Sequence, residues 1–348
     1  MLLAAIAAVS LAIPTVTVIE TPNQGIQPQA AVDAKGTVHL IYFTGKDSGG
    51  NLQYVQSKDE GETWTNPVQV NSKGDTAVAT GTIRGGQISV SANGSVHVVW
   101  LGPTKDPGLF YSSMLSGAKE FSPQKDLAVD TFNLDGGASV ACDDSSVYVL
   151  WHANAKQDGD EPSRQLWLRV SRSKGESFNQ RISLAEGLGA CACCSTKAAI
   201  DGRGRLVGMF RSAVESKHRD AYSVGWGWSY MASKERLDKW EVDTCPMSSF
   251  AILPGKITML AWENKERIVV DGHILPGEKA KHPSLARLDD TILCAYTTGT
   301  GWQKGGSLAW CLMGADGKVI ESKTDAGSVP IWGLVSAVAT KRGFLIFR

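Results

Sequence analysis

A short apolar strand motif recurs along the chain, and it constrains the fold more than any other feature of the sequence. Its copies are rich in Val, Ile, Tyr and Trp and are bounded by turn residues, which is typical of β-strands. Successive copies start 35 to 59 residues apart, and no long segment shows helical periodicity. The copies are VHLIYF from Val38, VHVVWL from Val96, VYVLWH from Val147, LVGMFR from Leu206, ITMLAW from Ile257, ILCAYT from Ile292 and FLIFR from Phe344.

Further strands follow several copies, such as LQYVQS from Leu52 and PVQV from Pro67. Four antiparallel strands in a repeat of about 50 residues form one blade of a β-propeller. The sequence therefore predicts an all-β chain with a single propeller domain over residues 13–348, built from six or seven four-stranded blades. The count is six if the short module around Ile257 forms no blade. The segment TVTVIE from Thr15 is predicted to complete the last blade and close the ring, which removes exposed sheet edges.

Residues 1–12 form an apolar run that is too short to span a bilayer. Ser10 and Ala12 are small enough to permit cleavage after Ala12, so we predict a signal peptide and a secreted or periplasmic protein. No Lys or Arg precedes the run, and a buried first strand is the alternative. The chain carries 35 basic and 35 acidic residues, which predicts neither a nucleic-acid nor a membrane partner. We expect a monomer.

The segment Ser57 to Trp64 reads S-K-D-E-G-E-T-W and fits the pattern S-x-D-x-G-x-T-W. Ser and Asp oxygens in this pattern bond nearby backbone N–H groups, and Gly permits a positive φ. The motif resembles the Asp-box of the sialidase-like, or BNR-repeat, superfamily, and the chain is similar to uncharacterised bacterial exo-alpha-sialidase-like proteins. Degenerate copies are predicted at Ser171–Phe178, at Ser233–Trp240, and near Gly117 and Phe121.

A propeller brings the starts of its inner strands and the ends of its second strands to one face. This geometry predicts a ligand pocket where polar and aromatic side chains converge. Trp-rich chains often bind sugars, so a carbohydrate or glycoconjugate is the expected partner. The predicted binding residues are Asp135, His152, Trp262, His282, Trp302 and Trp332.

The sialidase resemblance implies a retaining glycosidase, with an Asp acid/base, a Tyr–Glu nucleophile pair and three Arg that bind the substrate carboxylate. The sequence departs from the family at Gly25–Pro28, where an Arg-Ile-Pro motif is expected and no Arg is present. The alternatives are a propeller that binds glycan or protein without catalysis, and a metal-binding propeller. The residues that match the implied roles are Arg84, Arg211 and Arg219 for the clamp, Asp47 for the acid/base, Tyr230 or Tyr296 with Glu263 for the nucleophile, and Asp220 as a further catalytic candidate.

The segment Cys191-Ala192-Cys193-Cys194 precedes the fourth inner strand, and Cys245 precedes the fifth. Adjacent blades place these loops side by side. In an exported protein such thiols form disulfides, which is the favoured prediction. The alternative is a soft metal ion held by Cys191, Cys193, Cys194 and Cys245, helped by His282 or His218. No other cofactor is predicted.

Overall fold

The computed structural model describes residues 13–81, 83–227 and 232–348. Within these ranges the chain forms 27 β-strands, a 3₁₀ turn at Pro22–Gln24 and no α-helix. The strands form six four-stranded antiparallel sheets and one three-stranded sheet, arranged as the blades of a β-propeller. The predicted fold is confirmed, and the number of blades is seven. The predicted leader, residues 1–12, lies outside the described residues.

The first strand, β1 (Val16–Ile19), precedes blade 1. Blades 1 to 3 then follow in chain order, each numbered from its inner strand outward. Blade 1 contains β2 (Ile26–Val32), β3 (Val38–Lys46), β4 (Gly49–Ser57) and β5 (Val68–Gln69); blade 2 contains β6 (Gln87–Val90), β7 (Val96–Leu101), β8 (Leu109–Met114) and β9 (Lys125–Asp126); blade 3 contains β10 (Ser139–Cys142), β11 (Val147–Ala153), β12 (Gln165–Ser171) and β13 (Ile182–Ser183).

The remaining blades continue the same order, and the module around Ile257 forms a blade of its own. Blade 4 contains β14 (Lys197–Ile200), β15 (Leu206–Arg211), β16 (Ala221–Trp226) and β17 (Ser233–Arg236); blade 5 contains β18 (Phe250–Leu253), β19 (Met259–Asn264), β20 (Arg267–Val270) and β21 (His273–Ile274); blade 6 contains β22 (Ala280–Leu288), β23 (Thr291–Thr298), β24 (Gly306–Gly314) and β25 (Val319–Val329); blade 7 contains β26 (Ser336–Thr340), β27 (Gly343–Phe347) and β1.

The ring closes through β1, which pairs parallel with β27 from Val16 opposite Phe344 to Ile19 opposite Phe347. The pairing is parallel because β1 must end on the face where β2 begins. Beyond the strands, the backbone N–H of Thr21 donates to the carbonyl of Arg348 over 2.8 Å. The two ends of the described chain are therefore joined in one sheet.

The hydrophobic core is a ring of seven clusters, one between each pair of neighbouring blades. Alternation along β3 shows how this arises: Leu40 and Tyr42 pack against blade 7, whereas Ile41 and Phe43 pack against blade 2. β3 is apolar on both faces because both faces are buried between blades. This packing fixes each blade against its neighbours and positions the loops at the two ends of the ring.

The turn at Ser57–Trp64 joins β4 to β5 and has the local bonding that the motif predicts. Ser57 Oγ donates to Asp59 Oδ1 over 2.7 Å and accepts the N–H of Gly61 over 2.8 Å. Gly61 has φ +91°, which a side chain would disfavour. The ring of Trp64 meets Phe347 of blade 7 edge-on, with the centroids 5.7 Å apart. The turn therefore seals one blade against the preceding one.

The degenerate copies differ in outcome. At Ser171–Phe178 the N–H of Gly175 donates to Ser171 Oγ over 2.9 Å, and Phe178 packs edge-on against Tyr111. Near Gly117, Phe121 packs in the same way against Tyr54. The copy predicted at Ser233–Trp240 is wrong, because that segment begins with strand β17. Its fifth position is Leu237 rather than Gly.

No helix in the described ranges is long and apolar enough to cross a bilayer. We call the face on which the inner strands begin the upper face. The turn at Ser57–Trp64 lies on the opposite face, because Val38 at the start of β3 pairs with both Val32 and Ser57.

Candidate functional site

A cavity of about 350 Å³ opens on the upper face between the loops that precede the inner strands. These loops join β5 to β6, β9 to β10, β13 to β14 and β17 to β18, and the loop from β23 to β24 completes the wall. The volume is in the range of small-molecule sites. The described lining residues are Gly81, Ile83, Arg84, Asp135, Cys193, Cys245, Met247 and Trp302.

The polar wall of the cavity is an ion pair between blades 2 and 3. The guanidinium of Arg84 contacts the carboxylate of Asp135, and its Nε donates to the Asp135 carbonyl over 2.9 Å. Arg84 Nη1 also donates to the carbonyl of Thr80 over 3.3 Å. Both side chains remain partly exposed at the cavity. Arg84 therefore links two blades and presents a neutralised pair to a ligand.

Another part of the cavity wall is aromatic. Trp302 is 55% exposed and packs edge-on against Trp332, with the ring centroids 5.0 Å apart. Trp332 is buried and donates its Nε1–H to Asp47 Oδ2 over 2.9 Å. Asp47 thus orients the tryptophan pair from the loop between β3 and β4, and it is not among the lining residues. The exposed Trp302 thus lines the cavity together with Arg84 and Asp135.

The floor contains sulfur. A disulfide joins Cys193 to Cys245, with Cα atoms 6.2 Å apart, and so links the loops that lead into blades 4 and 5. Cys191 and Cys194 remain buried thiols, and Cys191 Sγ lies 3.6 Å from Cys193 Sγ. The sulfurs of Cys191, Cys193 and Cys194 all lie within 4.8 Å of one another. With Cys193 bonded to Cys245, two thiols of this cluster are free to ligate a metal.

Arg211 lies in the protein interior and not on the cavity. Its three guanidinium nitrogens donate to Ser248 Oγ over 2.8 Å, to the carbonyl of Glu263 over 2.5 Å and to the carbonyl of Arg219. The guanidinium stacks 4.7 Å from the ring centroid of Trp240. Because its N–H groups already donate to acceptors within the protein, Arg211 links blades 4 and 5 and does not bind a substrate carboxylate.

Arg219 and Asp220 are also committed to partners within the protein. Arg219 forms an ion pair with Glu161, which also accepts the N–H of Ala192 over 2.8 Å. Asp220 accepts the N–H of Trp240 over 2.9 Å. The three arginines predicted as a clamp therefore do not converge on one ligand position.

His152, on β11 of blade 3, binds the loop that contains Cys191, Cys193 and Cys194. Its Nδ1 accepts from Arg164 Nη2 over 3.0 Å, so its Nε2 carries the proton and donates to the Cys194 carbonyl over 2.7 Å. Burial, and then the charge of Arg164, lower the pKa of His152 to about 3. The imidazole is a neutral structural link and does not reach the cavity wall.

Several other predicted residues lie in the core or in the axial channel. Trp262 packs between blades 4 and 5. His282 Nδ1 bonds Ser249 Oγ over 3.1 Å, and His282 lines a channel of about 440 Å³ along the propeller axis. The hydroxyl of Tyr296 donates to the carbonyl of Pro276 over 2.7 Å. Tyr230 lies outside the described residues. His218 Nε2 lies 3.6 Å from Glu215 Oε2, and His218 is not part of the cluster formed by Cys191, Cys193 and Cys194.

Glu263 is fully buried, and both of its carboxylate oxygens lack a hydrogen-bond partner among the described residues. It therefore forms no nucleophile pair with Tyr296. Lys281 Nζ is 3.9 Å from Glu263 Oε1, which is beyond hydrogen-bonding range. Burial raises the pKa of Glu263 to about 8 despite the charges of Lys281 and Arg211. The carboxyl group is consequently protonated at neutral pH.

Sequence reasoning missed the residues that support the site. Glu161, Ser248 and Lys281 bind the loops of the cavity floor, and Met247 lines the cavity. Glu161 lies in the loop between β11 and β12, the second and third strands of blade 3, where nothing in the repeat pattern marks it. Met247 and Ser248 follow Cys245 by two and three residues, and this position was the available signal, because that loop was predicted to reach the upper face.

No protein-family model matches this sequence, and no curated protein matches it. Solved structures with the same architecture do match. The Penicillium chrysogenum alpha-L-arabinanase complexed with arabinobiose aligns with TM-score 0.54 and 11% identity, covering 86% of this chain and 96% of that one. The alpha-L-arabinofuranosidase of Fusarium graminearum with arabinobiose gives 0.54 and 11%, covering 82% and 93%. These likenesses show the fold.

A lectin also shares the architecture. A variant of the Aleuria aurantia lectin in complex with Fucalpha1-6GlcNAc aligns with TM-score 0.50 and 13% identity, covering 89% of this chain and 96% of the lectin. The alignments span nearly complete chains, so the similarity concerns the whole ring of blades. At these identities it assigns no residue roles.

Proposed function

We propose that the protein binds a neutral saccharide in the cavity on the upper face. The observation that carries the proposal is that the exposed Trp302 and the Arg84–Asp135 ion pair line the same cavity. An aromatic face packs against the apolar C–H face of a sugar, while charged side chains bond its hydroxyl groups. A site of about 350 Å³ accommodates one or two sugar rings.

Neutral sugars suit this cavity better than sialic acid. Arg84 is paired with Asp135, Arg211 is bound to protein acceptors, and Arg219 is paired with Glu161. A substrate carboxylate would have to displace one of these partners, at the cost of leaving a buried or half-buried charge unpaired. Hydroxyl groups need no such displacement, because the oxygens of Asp135 have lone pairs to share.

Binding is favoured over hydrolysis by the carboxylates present. Glycosidases of the retaining and inverting classes use a pair of carboxyl groups about the scissile bond, and sialidases use a Tyr nucleophile. Among the described residues that line the cavity, Asp135 is the one carboxylate, and no tyrosine lines it. The sialidase-like sequence pattern is thus consistent with a propeller that keeps the architecture and recognises sugar without cleaving it.

Three solved structures with this fold support a saccharide ligand. The arabinanase and the arabinofuranosidase are each described with arabinobiose, and the lectin is described with Fucalpha1-6GlcNAc. Both of these ligands, arabinobiose and Fucalpha1-6GlcNAc, are uncharged disaccharides. Their shared chemistry motivates the choice of probes.

The test is isothermal titration of the purified chain with arabinobiose, Fucalpha1-6GlcNAc and a sialylated trisaccharide. We expect a neutral sugar to bind more tightly than the sialylated one. Trp302→Ala should weaken that binding at least tenfold, which corresponds to about 1.4 kcal/mol. Asp135→Asn should also weaken it, because the neutral amide loses charge-assisted hydrogen bonds to sugar hydroxyls.

Ile274→Ala is the matched control, since Ile274 is an exposed apolar residue on the outermost strand of blade 5. It should leave the dissociation constant unchanged. The proposal fails if none of the neutral sugars binds, or if Trp302→Ala binds as tightly as the native chain. Preferential binding of the sialylated sugar would favour the sialidase-like reading instead.

We also propose that the protein is exported from the cytoplasm. The Cys193–Cys245 disulfide supports an oxidising compartment, as does the leader predicted over residues 1–12. Fractionation of the native host should find the chain outside the cytoplasm and starting at Ile13, and a cytoplasmic chain with an intact N-terminus would contradict it.

A further inference from the structure

The sulfurs of Cys191, Cys193 and Cys194 lie within 4.8 Å of one another, next to the cavity that Cys193 lines, and they are in two oxidation states. Cys193 is bonded to Cys245, whereas Cys191 and Cys194 are thiols. Cys191 Sγ lies 3.6 Å from Cys193 Sγ, close to van der Waals contact for two sulfur atoms. A disulfide sulfur is the atom that a thiolate attacks in exchange reactions. The cluster therefore holds a nucleophile and its target side by side.

The backbone holds the two thiols in place. The N–H of Cys191 donates to the carbonyl of Arg211 over 2.9 Å, and the N–H of Cys194 donates to the carbonyl of Cys191 over 3.2 Å. Glu161 binds the N–H of Ala192, and His152 binds the carbonyl of Cys194. The sulfur of Cys191 is thus held against Cys193 by fixed loops from blades 3 and 4.

The surroundings also favour one negative charge on this pair of thiols. Burial acts to raise the pKa of the Cys194 thiol, but a hydrogen bond from Cys191, the charge of Arg211 and the hydroxyl of Ser248 lower that pKa below its ordinary value. Burial and the Cys194 charge raise the pKa of Cys191 well above its ordinary value. The charged or titratable groups around the pair are Arg164, Arg211, Arg219, Glu263 and His152.

We propose that this cluster is a thiol–disulfide exchange site in which Cys191 is the attacking group, Cys193 the central sulfur and Cys245 the leaving group. The Cys194 thiolate accepts the proton of Cys191. The Cys191 sulfur then bonds Cys193 Sγ, and the electron pair of the Cys193–Cys245 bond departs with Cys245. One disulfide is broken and one is formed, and the negative charge moves from Cys194 to Cys245, so no external oxidant or reductant is needed.

Cys194 itself is the poorer attacking group. A bond between the adjacent residues Cys193 and Cys194 would close a small ring that forces the intervening peptide bond away from planar trans geometry. Cys191 and Cys193 are two residues apart, and their sulfurs are already in contact. The exchange therefore uses Cys194 as the proton acceptor and Cys191 as the nucleophile.

The exchange would release the thiol of Cys245 at the surface of the cavity. Cys245 is exposed, whereas Cys191 and Cys194 are buried. Cys193 and Cys245 both line the cavity. Transfer of the disulfide to Cys191–Cys193 frees the loop before β18 from the loop before β14 and presents a new thiol at the cavity. A small-molecule disulfide or an alkylating reagent then has access to it.

Trypsin distinguishes the two disulfide states. The peptide 182–197 contains Cys191, Cys193 and Cys194, and the peptide 240–256 contains Cys245. The Cys193–Cys245 bond links these peptides, whereas a Cys191–Cys193 bond lies within the first peptide and leaves the second free. The native chain is incubated with iodoacetamide at pH 7.5, digested without reduction and analysed by mass spectrometry at successive times.

We expect Cys245 to become alkylated, with loss of the linked peptides and the appearance of peptide 182–197 carrying an internal disulfide. In Cys191→Ser the alkylation of Cys245 should be at least tenfold slower. Cys142→Ser is the matched control, because it removes a thiol elsewhere that bonds Ser89 Oγ and should react as the native chain does. Thermal melts of all three show that each is folded.

Two results would overturn the exchange site. The first is alkylation of Cys245 that is undetectable, or equally fast in the native chain and Cys191→Ser. The second is protein purified without oxygen that contains one tightly bound metal ion per chain and four unbonded sulfurs, which would make the cluster a metal centre.

Discussion

Glu263 is the penultimate residue of β19, the second strand of blade 5, and its carboxyl group is out of contact with solvent. Its neighbours Arg211 and Lys281 are cationic, yet neither makes a hydrogen bond to its carboxylate oxygens. Burial therefore dominates, and its pKa rises from the ordinary value of 4.5 to about 8. A buried acid of this kind makes the stability of the fold depend on pH.

The direction in which the free energy of unfolding changes with pH depends on whether the folded or the unfolded chain holds the proton. Below pH 4.5 the carboxyl group is protonated in the folded and unfolded chains alike. Between about pH 4.5 and 8 the unfolded chain releases the proton and the folded chain keeps it, so the free energy of unfolding falls as pH rises. Each pH unit in this window corresponds to about 1.4 kcal/mol. We predict that Glu263→Gln removes this contribution, so that its stability relative to the native chain increases from pH 5 to pH 8.

Urea unfolding at pH 5, 6, 7 and 8 measures that difference. Glu186→Gln is the control, because Glu186 is exposed and its substitution should leave the pH dependence of the native chain unchanged. Parallel stability curves for the native chain and Glu263→Gln would mean that Glu263 is ionised in the fold.

Some of the predicted site residues do line the cavity, because their positions in the blades place them on the upper face. Arg84, Asp135, Cys193 and Cys245 precede inner strands, and all four line the cavity. Arg211, His152 and Trp262 were predicted because second strands end on the same face, yet their side chains are buried in the protein. Position along a strand gives the face of the ring, but the direction of a side chain depends on the packing of two blades, which no local pattern encodes.

Among the elements, the turns between third and fourth strands show how a local motif supports a global ring. In the Ser57–Trp64 turn, Asp59 accepts the N–H of Thr63 over 2.9 Å and also bonds the hydroxyls of Ser57 and Thr63. In the Ser171–Phe178 turn, Ser173 occupies the place of Asp59 and accepts the N–H of Ser177 over 3.0 Å. A serine has one oxygen for bonds that an aspartate shares between two.

We predict opposite effects from exchanging these two residues. Asp59→Ser should lower the melting temperature by about 2–4 °C, since it removes acceptors from the turn. Ser173→Asp should raise the melting temperature by a smaller amount, because it supplies them to the second turn. Calorimetry of the native chain and the two variants measures both shifts. Equal destabilisation by both substitutions would show that the two turns are not equivalent.

The failed copy at Ser233–Trp240 indicates what a motif must contain to be predictive. It keeps the outer Ser and Trp but has Leu237 where the other turns have Gly61 and Gly175, both with φ near +90°. A Leu side chain disfavours that conformation. The segment instead pairs with β16 as strand β17. The glycine, more than the aromatic residue, determines whether the turn forms.

For the whole molecule, the ring depends on β1. Its Val16 packs into the cluster between blades 6 and 7, and its Ile19 packs into the cluster between blades 7 and 1. One short strand therefore contributes to the cores on both faces of the last blade. Its backbone also covers the outer edge of β27, which would otherwise expose unpaired N–H and C=O groups. The recurring strand motif predicted this closure, although it could not predict the parallel direction.

We predict that a chain starting at Thr21 is less stable than one starting at Ile13. Both lack the predicted leader, and they differ by the eight residues that contain β1. Loss of its hydrogen bonds and of two core contacts should lower the melting temperature by about 5 °C or more. The uncovered β27 edge should also promote association between chains, because an unpaired edge strand accepts another strand. Thermal melts and size-exclusion chromatography measure the two effects.

The comparison of these two chains separates closure of the ring from the strength of the individual blades. If blades were stable alone, removal of β1 would affect blade 7 and leave the other six intact. In a propeller each core lies between two blades, so weakening blade 7 also weakens the clusters that it shares with blades 6 and 1. The chain starting at Thr21 should consequently melt in one broad transition at lower temperature. A chain that melts at the same temperature as the Ile13 form and stays monomeric would show that β1 does not close the ring.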